Sequence, residues 1–305
     1  MVTARNVFYY CAGLAFLALA KTKNALRGYS TPKPFDLRDA DRAIRYDFQV
    51  VDDWLSHLGR YERQEPSLVG KNILELGPGS DLGIGLLLLA RGAAKYNACD
   101  VNDLATRVPT EFYEAFFKHL ERAEGTANLA LLRKALTAVR SGSPGALNYV
   151  VREDFNLIEA VGPESVDLVF SQAAFEHFDD IDATVSQLTA VCKPGAVIVA
   201  EIDLMTHSRW IRDKDPNNIY RYHELVYRLF RFRGSPNRVR PYEYRRAFER
   251  NGWSDVIVTP RATLGDHRSS AAGMSRAFCD DVNEMGNLTV LLCARKTGNL
   301  PPAQH

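Results

Sequence analysis

Ile73-Leu74-Glu75-Leu76-Gly77-Pro78-Gly79-Ser80-Asp81-Leu82-Gly83 reads as a short apolar strand running into a glycine-rich turn and out into the apolar helix Ile84 to Arg91. Glycine at 77 and 79 lets the backbone approach a ligand closely at the carboxyl end of a sheet, where open α/β folds place their sites. The dinucleotide fingerprint fails at its third position, because Leu82 stands where Gly or Ala is required. A phosphate-binding P-loop fails as well, for want of Gly-Lys-Ser/Thr. Two acids remain to characterise the turn: Glu75, two residues before the first glycine, and Asp100, which ends the next strand in Ala98-Cys99-Asp100-Val101.

Outward from this turn, further short apolar runs recur: Tyr96 to Val101, Asn148 to Val151, Val166 to Phe170, Ala196 to Ile202, Asp255 to Thr259 and Leu288 to Ala294. Runs without alternation are strands buried on both faces of a largely parallel sheet. Strands that alternate with helical stretches predict a doubly wound, Rossmann-like α/β fold. Upstream, Ile44, Phe48, Val51, Trp54, Leu55 and Leu58 recur at three- and four-residue intervals, which predicts an amphipathic helix over Asp39 to Leu58. Leu104 to Ser143 reads as a helical insert between the second and third strands, and Arg209 to Arg246 as a second insert between the fifth and sixth. The main domain is expected over 35–298, preceded by an apolar helix and linker over 1–34 and followed by a frayed tail over 299–305. The linker contains the helix-stopping Ser30-Thr31-Pro32-Lys33-Pro34.

The chain has 305 residues, 46% hydrophobic and 25% charged, with a net charge of +1. That composition excludes wholly disordered, collagen-like and multi-span membrane classes and offers no global reason for a polyanionic partner. Five scattered cysteines, Cys11, Cys99, Cys192, Cys279 and Cys293, form no C-x-x-C pair, so no disulfide framework and no metal site is expected, and a cytoplasmic, reducing compartment is favoured. Val7 to Ala20 carries no charge and is flanked by Arg5, Lys21, Lys23 and Arg27. It is short for a spanning helix, for which about 20 apolar residues are needed. Three readings stay open: a cleaved signal segment ending at Ala18-Leu19-Ala20, a helix in a membrane interface, and a helix packed on the domain.

The glycine turn and the acid at the next strand end resemble the corresponding elements of class I S-adenosylmethionine-dependent methyltransferases. Val166-Asp167-Leu168-Val169-Phe170-Ser171 with Ala174-Phe175-Glu176-His177-Phe178 resembles that family's fourth-strand region, and Lys193-Pro194-Gly195-Ala196 resembles the turn leading into its fifth strand. The similarity extends from about Lys71 to Ala294. It implies a seven-stranded sheet of order 3-2-1-4-5-7-6 with the last strand antiparallel, and S-adenosyl-L-methionine as cofactor. Carried over by residue, Gly77 and Gly79 would line the methionine half of the cofactor, with Glu75 supporting that loop. Asp100 would accept from the ribose hydroxyls, Asp154 would reach the adenine amino group, and Phe155 or Val101 would pack the ring. Ser171 belongs to the same cofactor-binding set.

The methyl group of a sulfonium is already activated, so such an enzyme chiefly aligns an acceptor and excludes water. The fourth strand ends in Ser171-Gln172-Ala173 rather than the Asn/Asp-Pro-Pro-Tyr/Phe of enzymes acting on base or amide nitrogens, and no Pro-Cys pair is present there. Oxygen, amine or small-molecule acceptors remain, with a small or lipid-linked acceptor methylated on oxygen as the expectation. His177 and His207 are candidate bases near the carboxyl edge of the sheet, with Asp203 and Thr206 placed to orient His207. Arg209 to Arg246 carries a net +7 and five tyrosines, which suits either a lid over an anionic acceptor or an ordinary basic helical face. Nucleic acid is not expected as a partner. Two alternatives are kept: a methyltransferase-like binding or interaction module without turnover, and a dinucleotide-dependent oxidoreductase, against which Leu82 argues.

Overall fold

A computed structural model describes residues 3–27, 37–125, 128–265 and 273–298. The expected break at Ser30 to Pro34 and the tail over 299–305 lie outside the described residues. In chain order the helices are α1 (Ala4–Arg27), α2 (Ala40–Glu62), α3 (Gly83–Ala90), α4 (Thr110–Glu124), α5 (Leu129–Arg140), α6 (Leu157–Val161), α7 (Ile181–Val191), α8 (Arg209–Arg212), α9 (Glu224–Phe230) and α10 (Pro241–Arg250). The strands are β1 (Asn72–Leu76), β2 (Lys95–Asp100), β3 (Leu147–Val151), β4 (Val166–Gln172), β5 (Cys192–Asp203), β6 (Trp253–Thr263) and β7 (Asn287–Lys296).

These strands form one seven-stranded sheet of order β3-β2-β1-β4-β5-β7-β6, parallel throughout except for β7, which runs antiparallel to β5 and β6. Both the order and the reversed last strand are those expected. Successive residues of a strand point to opposite faces, and here both faces are covered. Ile73, Tyr96, Leu168, Phe170, Val197 and Val199 join the core beneath α2, α3, α4 and α5. Leu74, Leu76, Val169, Ile198 and Ala200 join the core on the other side with α7 and α10. Double burial is why the strands read as unbroken apolar runs.

The amphipathic helix α2 seats Val51, Trp54 and Leu58 against the sheet. The Trp54 ring stacks on Phe170 with centroids 4.8 Å apart and planes 3° from parallel, while its Nε1 donates to Gln172 Oε1 at 3.2 Å. A helix that precedes the sheet in sequence is thereby locked to β4, the strand whose end carries the fourth-strand motif.

Strand boundaries differ from expectation at β6, which runs Trp253–Thr263 rather than Asp255 to Thr259, and at β5. The Lys193-Pro194-Gly195 turn lies inside this strand, as a shift in its pairing with β4 between Val166 and Leu168. Gly195, at φ 82°, supplies the left-handed backbone that this irregularity needs.

Helix α1 extends past the apolar run at both ends. Its inner face, Tyr10, Leu14 and Leu17, packs on Tyr220, Tyr222 and Val226. Asn218 Nδ2 and the Tyr222 hydroxyl donate to the Tyr9 and Tyr10 carbonyls, both at 3.0 Å. Gly13 makes this approach possible, since a Cβ there would fall 1.9 Å from Asn218 Oδ1. Among the described residues no helix is long and apolar enough to cross a membrane.

Candidate active site

The turn after β1 is left-handed at both glycines, with φ of 70° at Gly77 and 79° at Gly79. The Gly77 amide donates to the Cys99 carbonyl at 2.9 Å, tying the turn to β2. The two glycines then diverge in purpose. A Cβ at Gly77 would stand 2.8 Å from Ala174 Cβ, so this residue is small because the end of β4 passes beside it. A Cβ at Gly79 would meet nothing within 4 Å among the described residues, so there the backbone lines open space at the carboxyl edge of the sheet.

Three carboxyl groups lie beneath this turn. Glu75 is sealed from solvent and accepts a hydrogen bond from the Tyr96 phenol. Burial pushes its pKa up to about 8, against the lowering effect of the Tyr96 bond. Asp81 accepts from the Gly83 amide at 2.9 Å and is also raised by burial. Asp47, brought in by α2, is raised well above the ordinary range by burial and then by Asp81 beside it. Asp47 Oδ2 has no donor among the described residues, so it gains one only when one of the facing carboxyls carries a proton. Gly83 leaves room for Asp47, because a Cβ at position 83 would sit 2.1 Å from that oxygen. Buried, underpartnered carboxyls are costly unless protonated or matched by positive charge. An open glycine backbone above buried carboxyls that a positive charge would help to ionise therefore fits a cationic ligand such as the sulfonium and ammonium groups of S-adenosylmethionine.

The remaining expected cofactor residues fall around the neighbouring strand ends. Asp100 ends β2, is raised by burial, and accepts from the Asn102 amide at 2.9 Å. Val101 follows it, half-buried. Ser171 is buried in β4, where its hydroxyl donates to the Leu76 carbonyl at 3.3 Å and fastens β4 to β1. Asp154 lies in the turn after β3, where its carboxylate takes Arg152 at 2.9 and 2.8 Å, and Arg152 holds its pKa down to about 2. Phe155 adopts φ 49° and packs its ring on Phe178 at 4.9 Å. Asp154 is thus engaged by a neighbour on its own turn, whereas Asp100 keeps an oxygen beyond its backbone contact.

The two histidines come together. His177 ends the single turn Phe175–His177 after β4, His207 follows β5, and their ring centroids are 4.9 Å apart. His207 Nε2 lies 3.6 Å from Asp203 Oδ2, while Arg212 donates to the same oxygen at 2.7 Å. Burial works to raise the Asp203 pKa, but His207, the Met205 amide and Arg212 outweigh it and leave it lowered. His177 is pushed down to about 4 by burial and by His207 beside it. Thr206, expected as an orienting residue, donates its backbone amide to the Pro216 carbonyl, and its side chain is buried. Glu176 was visible in the sequence only as part of the Glu-His pair; here it is a third member of the cluster, 2% exposed.

The basic segment between β5 and β6 is used largely for structure. Arg221 pairs with buried Asp215 at 2.7 and 2.9 Å, and Arg238 holds Glu224 and the Tyr222 carbonyl. Arg240 is fully buried and donates to the carbonyls of Asn283, Glu284 and Asn287 and to the Tyr220 hydroxyl. The bland reading, tyrosines inward and arginines paired, describes this part of the segment. The planar guanidinium allows one buried residue to satisfy several carbonyls at once.

Comparison with known proteins narrows the class. Residues 115–200 match a family model described as a methyltransferase domain. No curated protein sequence matches the chain. Among solved structures, the CurJ carbon methyltransferase superposes with a TM-score of 0.50 at 13% identity, over 94% of this chain and 66% of that one. Phosphoethanolamine N-methyltransferase 2 of Haemonchus contortus, in complex with S-adenosyl-L-methionine, gives 0.45 at 14% identity, over 94% of this chain and 57% of that one. An S-adenosylmethionine-dependent methyltransferase of Mesorhizobium loti gives 0.43 at 15% identity, over 78% of this chain and 96% of that one. At such identities the likeness concerns the fold, and this chain spans about two thirds of the length of the CurJ enzyme.

The doubly wound sheet, which here carries a glycine turn at its carboxyl edge and a carboxylate at the next strand end, is the architecture this chain shares with the CurJ carbon methyltransferase. Together with the methyltransferase-domain match over residues 115–200, it makes the chain similar in fold to class I S-adenosylmethionine-dependent methyltransferases. The matched domain supports methyl transfer as the activity, with S-adenosylmethionine as the cofactor that the resemblance implies.

Proposed function

We propose that this enzyme methylates an oxygen of a small or lipid-linked acceptor. The observation that carries the reading is the His177–His207 pair at the carboxyl edge, reached from the glycine turn through the Gly77–Ala174 contact. When bound, the cofactor supplies an activated methyl group. Gly77 and Gly79 would give it backbone, Asp100 would accept from its ribose hydroxyls, and Glu75, Asp81 and Asp47 would lie beneath its cationic end, where a bound positive charge favours their ionised form. Val101 and Phe155 offer apolar surface for the adenine. Ser171 acts on the site indirectly by fixing β4 to β1, and Asp154 reaches adenine only if it leaves Arg152. A hydroxyl acceptor must lose its proton as the methyl arrives. His207, braced by Asp203, is the group assigned to receive it, with His177 shaping the other side of the acceptor. Incubating cell extract with methyl-labelled cofactor and the enzyme identifies the acceptor. Label recovered on nitrogen or carbon, or none with any acceptor pool, would overturn the oxygen assignment.

A peripheral membrane contact is the second reading, favoured by one surface. Phe8 and Leu19 on α1 are 65% and 63% exposed, and Leu225 and Leu229 on α9, which packs beside α1, are each 67% exposed. Lys21 and Lys23 flank them. Apolar side chains beside basic ones suit the interface of an anionic bilayer, where a lipid-linked acceptor would be found.

A further inference from the structure

Glu176, His177 and His207 form a cluster that the transfer of a methyl group does not by itself explain. The Glu176 carboxylate is 2% exposed, and neither oxygen has a hydrogen-bond partner among the described residues; the backbone amides of Glu176 and Asp203 face it without closing a bond. His177 Nδ1 and His207 Nε2 are likewise buried and unpartnered among the described residues. Four orphaned atoms on three adjoining side chains are a concentration that folding does not tolerate cheaply, since each unsatisfied buried polar atom costs about 1–3 kcal/mol. Each of these atoms has a lone pair that a metal ion could take up.

From this geometry we propose that Glu176, His177 and His207 bind one divalent cation of the first transition row. One donor atom from each side chain lies within 4.8 Å of the other two. Three points so spaced are all within about 2.8 Å of a common centre, against metal–ligand bonds of about 2.0–2.2 Å. Closing the site therefore asks for side-chain movements of well under about 1 Å. Two imidazoles and one carboxylate favour zinc, cobalt, iron or manganese over magnesium and calcium, which prefer oxygen-only sets. One outer partner of the kind such ligands use is in place. The His177 ring interacts with the Gly234 carbonyl, and the Asp203 carboxylate, itself held by Arg212 at 2.7 Å, adds negative potential beside the cluster. The three ligands lie on the segments that follow two paired neighbouring strands, Glu176 and His177 after β4 and His207 after β5. A site with three protein ligands leaves a coordination position for a further oxygen.

The inference rests on this cluster and not on the acceptor, although an ion here would take over from a free His207 the lowering of an acceptor's proton affinity. The test uses Co2+ with the full-length, metal-stripped protein, read by metal content, visible absorption and calorimetry. Expected are about one ion per chain, with visible bands of low-symmetry Co2+ coordination. Glu176→Gln and His207→Ala should each weaken binding by at least about tenfold, the range that even outer partners reach. His223→Ala, an exposed histidine outside the cluster, should leave it unchanged. If Glu176→Gln does not fold, the more accessible His207→Ala decides the question. Absence of stoichiometric binding to the unaltered protein, equal affinity in both cluster variants, or displacement of Co2+ by equimolar Mg2+ would each overturn the assignment. A labelled-cofactor assay that still shows transfer to oxygen after such a failure would leave the acceptor reading standing by itself.

Discussion

The Tyr96 phenol donates a hydrogen bond to Glu75 Oε2 between adjacent strands, and neither side chain reaches solvent. The folded carboxyl keeps its proton up to about 8, whereas the unfolded one loses it near 4.5. Between those values the native state holds the extra proton, so stability falls as pH rises through the window and levels off above it. Asp47 and Asp81 are raised too and act in the same direction. Glu75→Gln should therefore flatten the fall in melting temperature of the ligand-free protein between about pH 5 and about pH 8. An unchanged slope would contradict the buried titration.

Asp100→Ala should weaken cofactor binding by about ten- to a hundredfold, the equivalent of hydrogen bonds to a charged group worth about 1.5–3 kcal/mol. Circular dichroism should be unaltered. Calorimetry with S-adenosylmethionine checks this, and undiminished affinity removes the ribose role.

The two glycines of the turn should respond differently to alanine. Gly79→Ala bears a left-handed backbone penalty of about 1–2 kcal/mol but meets no neighbour within 4 Å among the described residues, so the protein folds and loses cofactor affinity. Gly77→Ala adds a 2.8 Å collision with Ala174 and should lower the melting temperature further. Paired thermal melts and binding isotherms separate the two, and equal affinity in Gly79→Ala and the unaltered protein would place the cofactor elsewhere.

Replacing Arg240 by Met should cost at least about 3 kcal/mol, because three carbonyls and a phenol lose a buried donor. Urea unfolding measures it. A loss below about 1 kcal/mol would mean that the basic segment is not a structural element.

Phe8→Ser with Leu19→Ser removes exposed apolar surface without touching the Tyr10, Leu14 and Leu17 contacts. Sedimentation with vesicles containing phosphatidylserine should show binding by the unaltered chain, diminished in the double variant and at high salt. Equal binding would exclude α1 as the contact.

His207→Ala should slow methyl transfer by about 10²–10⁴-fold with cofactor affinity retained, the usual contribution of a general base. An unaltered rate excludes that role.

Much of this molecule is legible in its residues because local rules apply along the sheet. The unalternated runs at Ile73, Tyr96, Val166 and Ala196 announce double burial, and Gly77 with Gly79 announces a turn that a ligand approaches. Asp100 is found by its place one strand later. Asp47 is not, because nothing in an amphipathic helix says which strand end it will cover; Gly83 is the only local sign, and its reason appears once the Asp47 oxygen is seen 2.1 Å from a would-be Cβ. Asp154 reads as a strand-end acid, and only the folded turn shows it engaged by Arg152 two residues away.

The order of apolar runs and glycines thus determined the architecture and the left-handed turn after β1, since those depend on periodicity and backbone freedom, which are properties of neighbouring residues. Tertiary structure alone decided that Arg238 and Arg240 of the basic segment turn inward to carbonyls, and that Glu176, His177 and His207 converge with their donor atoms unpartnered among the described residues. Those outcomes depend on distances between residues far apart in the chain, and no local pattern encodes such distances.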